Sequence, residues 1–134
     1  ISAGIVDLSP VGKHLPDCLI SQMRSLKVSK FTEPGKLPEW GFIFSPYVAF
    51  IRPVDFLEEK SFLELIDQYL SLLLSLLVKV QRDEINSLDT MYRLNYQKRY
   101  CLNQKRNDKT RGILTKFFGS SWADEYINKI LFEC

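Results

Sequence analysis

Tyr100-Cys101-Leu102-Asn103-Gln104-Lys105-Arg106-Asn107-Asp108-Lys109-Thr110-Arg111 is the stretch on which the reading of this chain turns. A helical pattern runs into it and a second runs out of it, with Asn107-Asp108 between them as helix-capping chemistry. From Met91 to Arg111 there are seven lysines or arginines and a single acid, Asp108, in a chain whose formal total is only +2. The remaining residues are therefore net negative. A lone carboxylate among cations is either a helix cap or the working acid of a site for something anionic. Spacing alone favours the cap, an interaction worth about 1 kcal/mol. The functional reading requires an acid able to hand a proton to a bound substrate. Nearby cations would lower its pKa, and burial against an apolar ligand would raise it.

Working outward, residues 88–106 read as a polar helix with a thin apolar stripe at Met91, Leu94 and Leu102. Asn107 or Asp108 caps the next helix, whose inner face is Ile113, Leu114, Phe117 and Phe118, and Gly119 fits a C′ position. Ser120 or Ser121 caps a last helix with Trp122, Tyr126, Ile127, Ile130 and Leu131 pointing inward. Toward the N-terminus, Gln81 to Ser87 breaks the pattern. Before that break, Phe62, Leu65, Ile66, Tyr69, Leu70, Leu73, Leu76, Leu77 and Val80 recur at three- and four-residue spacings, which predicts a long core helix beginning at Asp55.

The N-terminal third has a different character. Ile1 to Leu8 and Phe42 to Arg52 are β-branched or aromatic and read as strands, the second interrupted by Ser45-Pro46 and stopped by Pro53. Val11 to Leu37 is mostly irregular, with a short helix near Asp17 to Leu26 capped by Asp17. Strands first and helices later predict an α+β fold. Two strands make a poor sheet by themselves. The chain also opens Ile1-Ser2-Ala3-Gly4 without an initiator methionine, so it is expected to continue a fold begun earlier.

Composition narrows the function classes. With 134 residues, 46% hydrophobic and 25% charged, the chain is an ordinary globular domain. Its near-neutral total speaks against a general nucleic-acid binder but leaves room for one basic face. Three scattered cysteines and one histidine do not make a zinc set. The six glycines form neither a dinucleotide nor a P-loop pattern. The most apolar run, Tyr69 to Val78, is too short to span a bilayer.

Several motifs in order then carry a resemblance. Asn107-Asp108-Lys109-Thr110-Arg111, Phe118-Gly119, Trp122-Ala123 and Leu131-Phe132 resemble the C-terminal end of the ferredoxin-dependent bilin reductases. So do Tyr100-Cys101 with Gln104, Arg52-Pro53, Leu37-Pro38-Glu39-Trp40-Gly41 with Phe44-Ser45, and Asp7-Leu8-Ser9-Pro10. The resemblance covers nearly the whole chain. It implies part of an α/β/α sandwich with a central antiparallel sheet, residues 1–134 being the C-terminal portion of a single domain. The N-terminal strands and a first catalytic acid would lie outside it.

The resemblance also implies a chemistry: reduction of a linear tetrapyrrole such as biliverdin or dihydrobiliverdin to a phycobilin or phytochromobilin. Electrons arrive singly from reduced ferredoxin, protons come from side chains through radical intermediates, and no metal, flavin or nicotinamide is bound. Carried over by position, Asp108 matches a proton-donating or positioning acid and Lys109 a partner of a bilin propionate. Gln104, Asn107 and Tyr100 match positions lining the ligand, and Arg111 is a further propionate anchor. On this footing Asp108 reads as functional rather than as a mere cap. One departure stands out: where some members carry an arginine before Leu37, this chain has Glu33-Pro34-Gly35-Lys36, and a lysine lacks the bidentate fork. The expected partners are a bilin and ferredoxin, with no nucleic acid and no membrane, for a monomer in a plastid or a cyanobacterial cytoplasm. The rival expectation is a non-catalytic bilin-binding protein derived from the same family.

Overall fold

The computed structural model describes residues 1–133 and divides into two compact units, residues 1–82 and 83–133 of the described chain. The fold is α+β, with a small antiparallel sheet in the first unit and a helical C-terminal half.

In the first unit, β1 (Gly4–Val6) pairs antiparallel with β2 (Ala49–Ile51) in the register Gly4↔Ile51, Ile5↔Phe50 and Val6↔Ala49. Both strands are shorter than the sequence predicts. Residues 39–43 form a 3-10 turn instead of the start of β2, closed by the Gly41 N–H donating to the Pro38 carbonyl at 2.8 Å. The aromatic character of Phe42 and Phe44 reads as strand, but prolines at 38 and 46 bracket the segment, and a proline donates no ladder hydrogen bond. Conversely, the stretch around Pro34, expected to be irregular, lies along the other edge of β2. The Gly35 N–H donates to the Phe50 carbonyl at 2.6 Å and the Arg52 N–H to the Glu33 carbonyl at 2.9 Å. Gly35 permits this approach, since a Cβ there would lie 2.5 Å from the Phe50 ring.

Two helices cover this sheet corner. α1 (Asp17–Ser25) has Pro16 at its N-cap position and no side-chain cap, so Asp17 is the first helical residue rather than the cap. Proline suits the edge of a helix, where its missing N–H is no loss, and Asp17 then favours the helix dipole from the first turn. α2 (Phe56–Leu77) is capped as its sequence suggests, the Asp55 carboxylate accepting from the Glu58 N–H at 2.8 Å. Leu15, Leu19 and Met23 meet Leu65 and Tyr69 in a buried cluster, with Val6, Leu8, Phe31 and Tyr47 around it. Fully burying each such side chain contributes roughly 1.5–3 kcal/mol. The apolar stripe of α2 is only partly used: Phe62, Leu65 and Tyr69 are buried, whereas Leu70 and Leu77 are exposed, and Val80 lies beyond the end of the helix.

A polar knot pins the turn before β2 to the end of β1. Ser9 Oγ and the Ser45 N–H donate to Asp7 Oδ2 at 2.6 and 3.0 Å, and Ser45 Oγ donates to Asp7 Oδ1 at 2.5 Å. Ser45 Oγ in turn accepts from the Tyr47 N–H at 3.1 Å, and the Tyr69 hydroxyl donates to the Tyr47 carbonyl at 2.5 Å. The Asp7-Leu8-Ser9-Pro10 and Phe44-Ser45 motifs thus meet in one half-buried arrangement, in which Ser45 is buried.

The second unit holds α3 (Leu88–Gln104), α4 (Asp108–Phe118) and α5 (Ser120–Tyr126), the last running into a π-helical turn at Ile127–Leu131. Ser87 caps α3 by accepting from the Thr90 N–H at 3.2 Å. Gly119, at φ +85°, joins α4 to α5 and stands at the N-cap position of α5, displacing the expected serine cap. The expected inner faces hold only in part, with Ile127 buried and Leu114 and Tyr126 half-buried. Met91, Leu94 and Leu102 of α3 are exposed, as are Ile113 (61%), Phe117 (71%) and Phe118 of α4. In α5 and the turn after it, Ala123 and Ile127 are buried, but Trp122, Ile130 and Leu131 are exposed. Periodicity identifies an apolar side of a helix without saying what covers it.

Candidate active site

The candidate site is the corner between α3 and α4. Helix α3 ends at Gln104, and the chain turns through Lys105 and Arg106 to start α4 at Asp108. Asn107 makes the turn, and its Oδ1 accepts from the Thr110 N–H at 3.3 Å. The cap is therefore Asn107. Asp108 is left in the first helical turn, exposed, its carboxylate in no hydrogen bond or ion pair among the described residues. A carboxylate there is favoured by the positive end of the helix dipole, whether or not it has other work.

Around it the predicted residues take distinct places. Lys109 is exposed beside Asp108 on the first turn. Gln104 and Tyr100 stand one helical turn apart on α3, the Gln104 amide donating to the Tyr100 hydroxyl at 2.9 Å. Asn103, nearly buried, donates to the Arg99 carbonyl at 2.9 Å, and its side-chain oxygen lies 3.4 Å from an Arg106 guanidinium nitrogen. These bonds hold the end of α3 in shape, so Gln104, Asn107 and Asp108 sit on a braced turn.

Arg111 is placed differently from Lys109. Its guanidinium forms an ion pair with Asp124 of α5, and it also reaches the Lys105 carbonyl at 3.5 Å, the long limit of a hydrogen bond. Sequence reasoning did not single out Asp124, because no spacing rule joins residues on two helices. Among the other cations, Arg93 pairs with Asp83, and Arg99 lies over the Tyr96 ring with 4.5 Å to its centroid. Lys98, Arg99 and Arg106 are exposed on α3 and just after it. Farther along, Glu125 of α5 and Lys129 of the turn after it hydrogen-bond at 2.8 Å, which lowers the carboxyl pKa and raises that of the amine. Among the described residues no group of three or more His, Cys, Asp or Glu could hold a metal ion, and no helix is long and apolar enough to cross a membrane.

Asp108 and Lys109 thus stand exposed together on the first turn of α4, where backbone N–H groups and the helix dipole favour negative charge. The family model for ferredoxin-dependent bilin reductase matches residues 1–133. The chain belongs to that family. Among curated relatives, the phycocyanobilin:ferredoxin oxidoreductases of Prochlorococcus marinus strains MIT 9313 and MIT 9303 are 50% and 49% identical over 133 residues, covering 99% of this chain and 50% of each relative. That of Synechococcus sp. strain CC9605 is 43% identical over 134 residues, covering 99% of this chain and 54% of the relative. The chain thus spans about half the length of the curated relatives it matches.

Proposed function

We propose that this chain is the C-terminal portion of a single domain that reduces a linear tetrapyrrole, biliverdin or dihydrobiliverdin, to a phycobilin or phytochromobilin at the expense of reduced ferredoxin. The observation that carries the reading is the division of labour at the corner: Asn107 does the capping, which leaves the Asp108 carboxylate for a ligand. Saturating one carbon–carbon double bond takes two electrons and two protons. Ferredoxin delivers the electrons singly, so a radical stands between the two transfers, and each added electron makes the pigment more basic. In its protonated form Asp108 gives its proton to the pigment at that point, and solvent re-protonates the carboxylate.

The neighbouring residues bind and orient. Lys109, a point charge at a helix N-terminus, pairs with a propionate, and Arg111 serves a second where Asp124 yields it. Gln104, Asn107 and Tyr100 line the ligand side, the Tyr100 hydroxyl being steered by Gln104. Lys98, Arg99, Lys105 and Arg106 form a basic stretch that suits an acidic electron-carrier protein and would raise its association rate. The cyanobacterial sources of the relatives support a cytoplasmic setting over a plastid.

Asp108→Asn tests the reading. Ferredoxin-driven reduction should slow or yield a different product while bilin affinity stays near that of the parent. Unchanged rate and product would remove Asp108 from the mechanism. Binding with no turnover in the parent protein, at full length, would favour a pigment-binding protein instead.

A further inference from the structure

Lys109 and Arg111 begin α4 two residues apart, and residues at that spacing point to different sides of a helix. They are therefore suited to two separate carboxylates rather than to a clamp on one. Lys109 is exposed, whereas Arg111 already holds a carboxylate, that of Asp124. Both members of the pair keep solvent contact, with Arg111 33% and Asp124 56% exposed. An ion pair in that setting is weak and exchangeable. It nevertheless neutralises the guanidinium, whose planar fork matches a carboxylate better than a lysine does.

Resting on the functional reading above, we propose that Asp124 is a specificity-determining residue that occupies Arg111 as an internal stand-in for a ligand carboxylate. A ligand with one carboxylate is met by Lys109 and leaves the Arg111–Asp124 pair intact. A ligand with two carboxylates gains the second cation only by displacing Asp124. The displaced α5 carboxylate returns to water, where its exposure makes the exchange inexpensive. Asp124 thereby lowers affinity for anions in general and reserves Arg111 for ligands that can address both cations together.

The test is biliverdin binding followed by absorbance, at several salt concentrations, with the protein at the full length of its relatives. Parent, Asp124→Asn, Arg111→Gln and the double variant are compared, using biliverdin and its dimethyl ester as probes. Asp124→Asn should tighten biliverdin binding by up to about fivefold, the equilibrium worth of a partly exposed ion pair, and steepen the salt dependence. The gain should vanish in the Arg111→Gln background and for the ester, which has no carboxylate to offer. Equal affinities in parent and Asp124→Asn, or the same gain for acid and ester, would overturn the proposal, because a merely structural role would move both probes alike. Failure of the parent to bind biliverdin at all would instead sink the bilin reading on which the proposal rests.

Discussion

Replacing Asn107 and Asp108 one at a time by alanine separates the two meanings of this corner. Asn107 Oδ1 accepts from the Thr110 N–H, so Asn107→Ala removes a side-chain cap and leaves a donor of the first turn to water. Loss of such a cap costs about 1 kcal/mol, within a range of roughly 0.5–2. Asp108 makes no such bond and touches stability chiefly through the helix dipole, a term of about 0.3–1 kcal/mol that neighbouring water and salt reduce further. The neighbouring lysine and arginine gain a little from its charge, which screening also weakens. The expected order is thus a clear loss for Asn107→Ala and a small one for Asp108→Ala. Urea unfolding read by Trp122 fluorescence, in a Trp40→Phe background, reports on the second unit. With a slope of about 1–3 kcal/mol per molar urea, 1 kcal/mol moves the midpoint by roughly 0.3–1 M. Bilin reduction should follow the reverse order, Asp108→Ala suffering more than Asn107→Ala. If Asp108→Ala lowers the midpoint as much as Asn107→Ala does, Asp108 is a cap after all and the division of labour is refuted.

Other consequences concern the first unit. Tyr69 is buried and donates to the Tyr47 carbonyl, so Tyr69→Phe should cost about 1–3 kcal/mol by stranding that carbonyl, measured by chemical unfolding. Burial, and secondarily the charge of Asp7, raises the Tyr69 pKa above 10.0; its contribution is fully present below the unfolded value and is lost as pH rises through the folded one. Alkaline melting of the parent but not of Tyr69→Phe should show this loss. Glu58 is the opposite case: hydrogen bonds from the Thr32 hydroxyl and N–H hold its carboxyl below 4.5, so stability present above that value falls as acid protonates it, and Glu58→Gln should flatten the acid limb of an unfolding-versus-pH curve. Gly4→Ala should destabilise by about 1–3 kcal/mol in a thermal melt, since the added Cβ would lie 2.3 Å from the Phe62 ring.

Local rules made part of this structure readable. Asp55 followed by leucines at three- and four-residue spacing gave α2 its start and its type, and the Asn107-Asp108 break divided α3 from α4 where the chain does turn. The positive φ of Gly119 explains why glycine sits at that junction, since its backbone angles suit glycine almost alone. What escaped was decided at a distance. Asp7 and Ser45 meet across 38 residues, and the Glu33–Gly35 edge of the sheet exists because Phe50 lies beside it. Phe117 and Met91 were misjudged for another reason: an apolar side is encoded locally, whereas the surface that would cover it is not. At the candidate site, the residue types around Asp108 were legible, and its freedom from capping was not. Asp124 was invisible for want of any sequence relation to Arg111.

Asp108 is proposed to protonate the pigment during ferredoxin-dependent reduction. The most direct measurement is anaerobic absorbance of biliverdin during addition of reduced ferredoxin, made on the full-length parent protein and on Asp108→Asn side by side. The parent should bleach the biliverdin band and yield a shifted product, while the variant should bind the pigment but bleach it more slowly or stop at another product. Identical traces for the two proteins, or a parent that leaves biliverdin unchanged, would contradict that proposal.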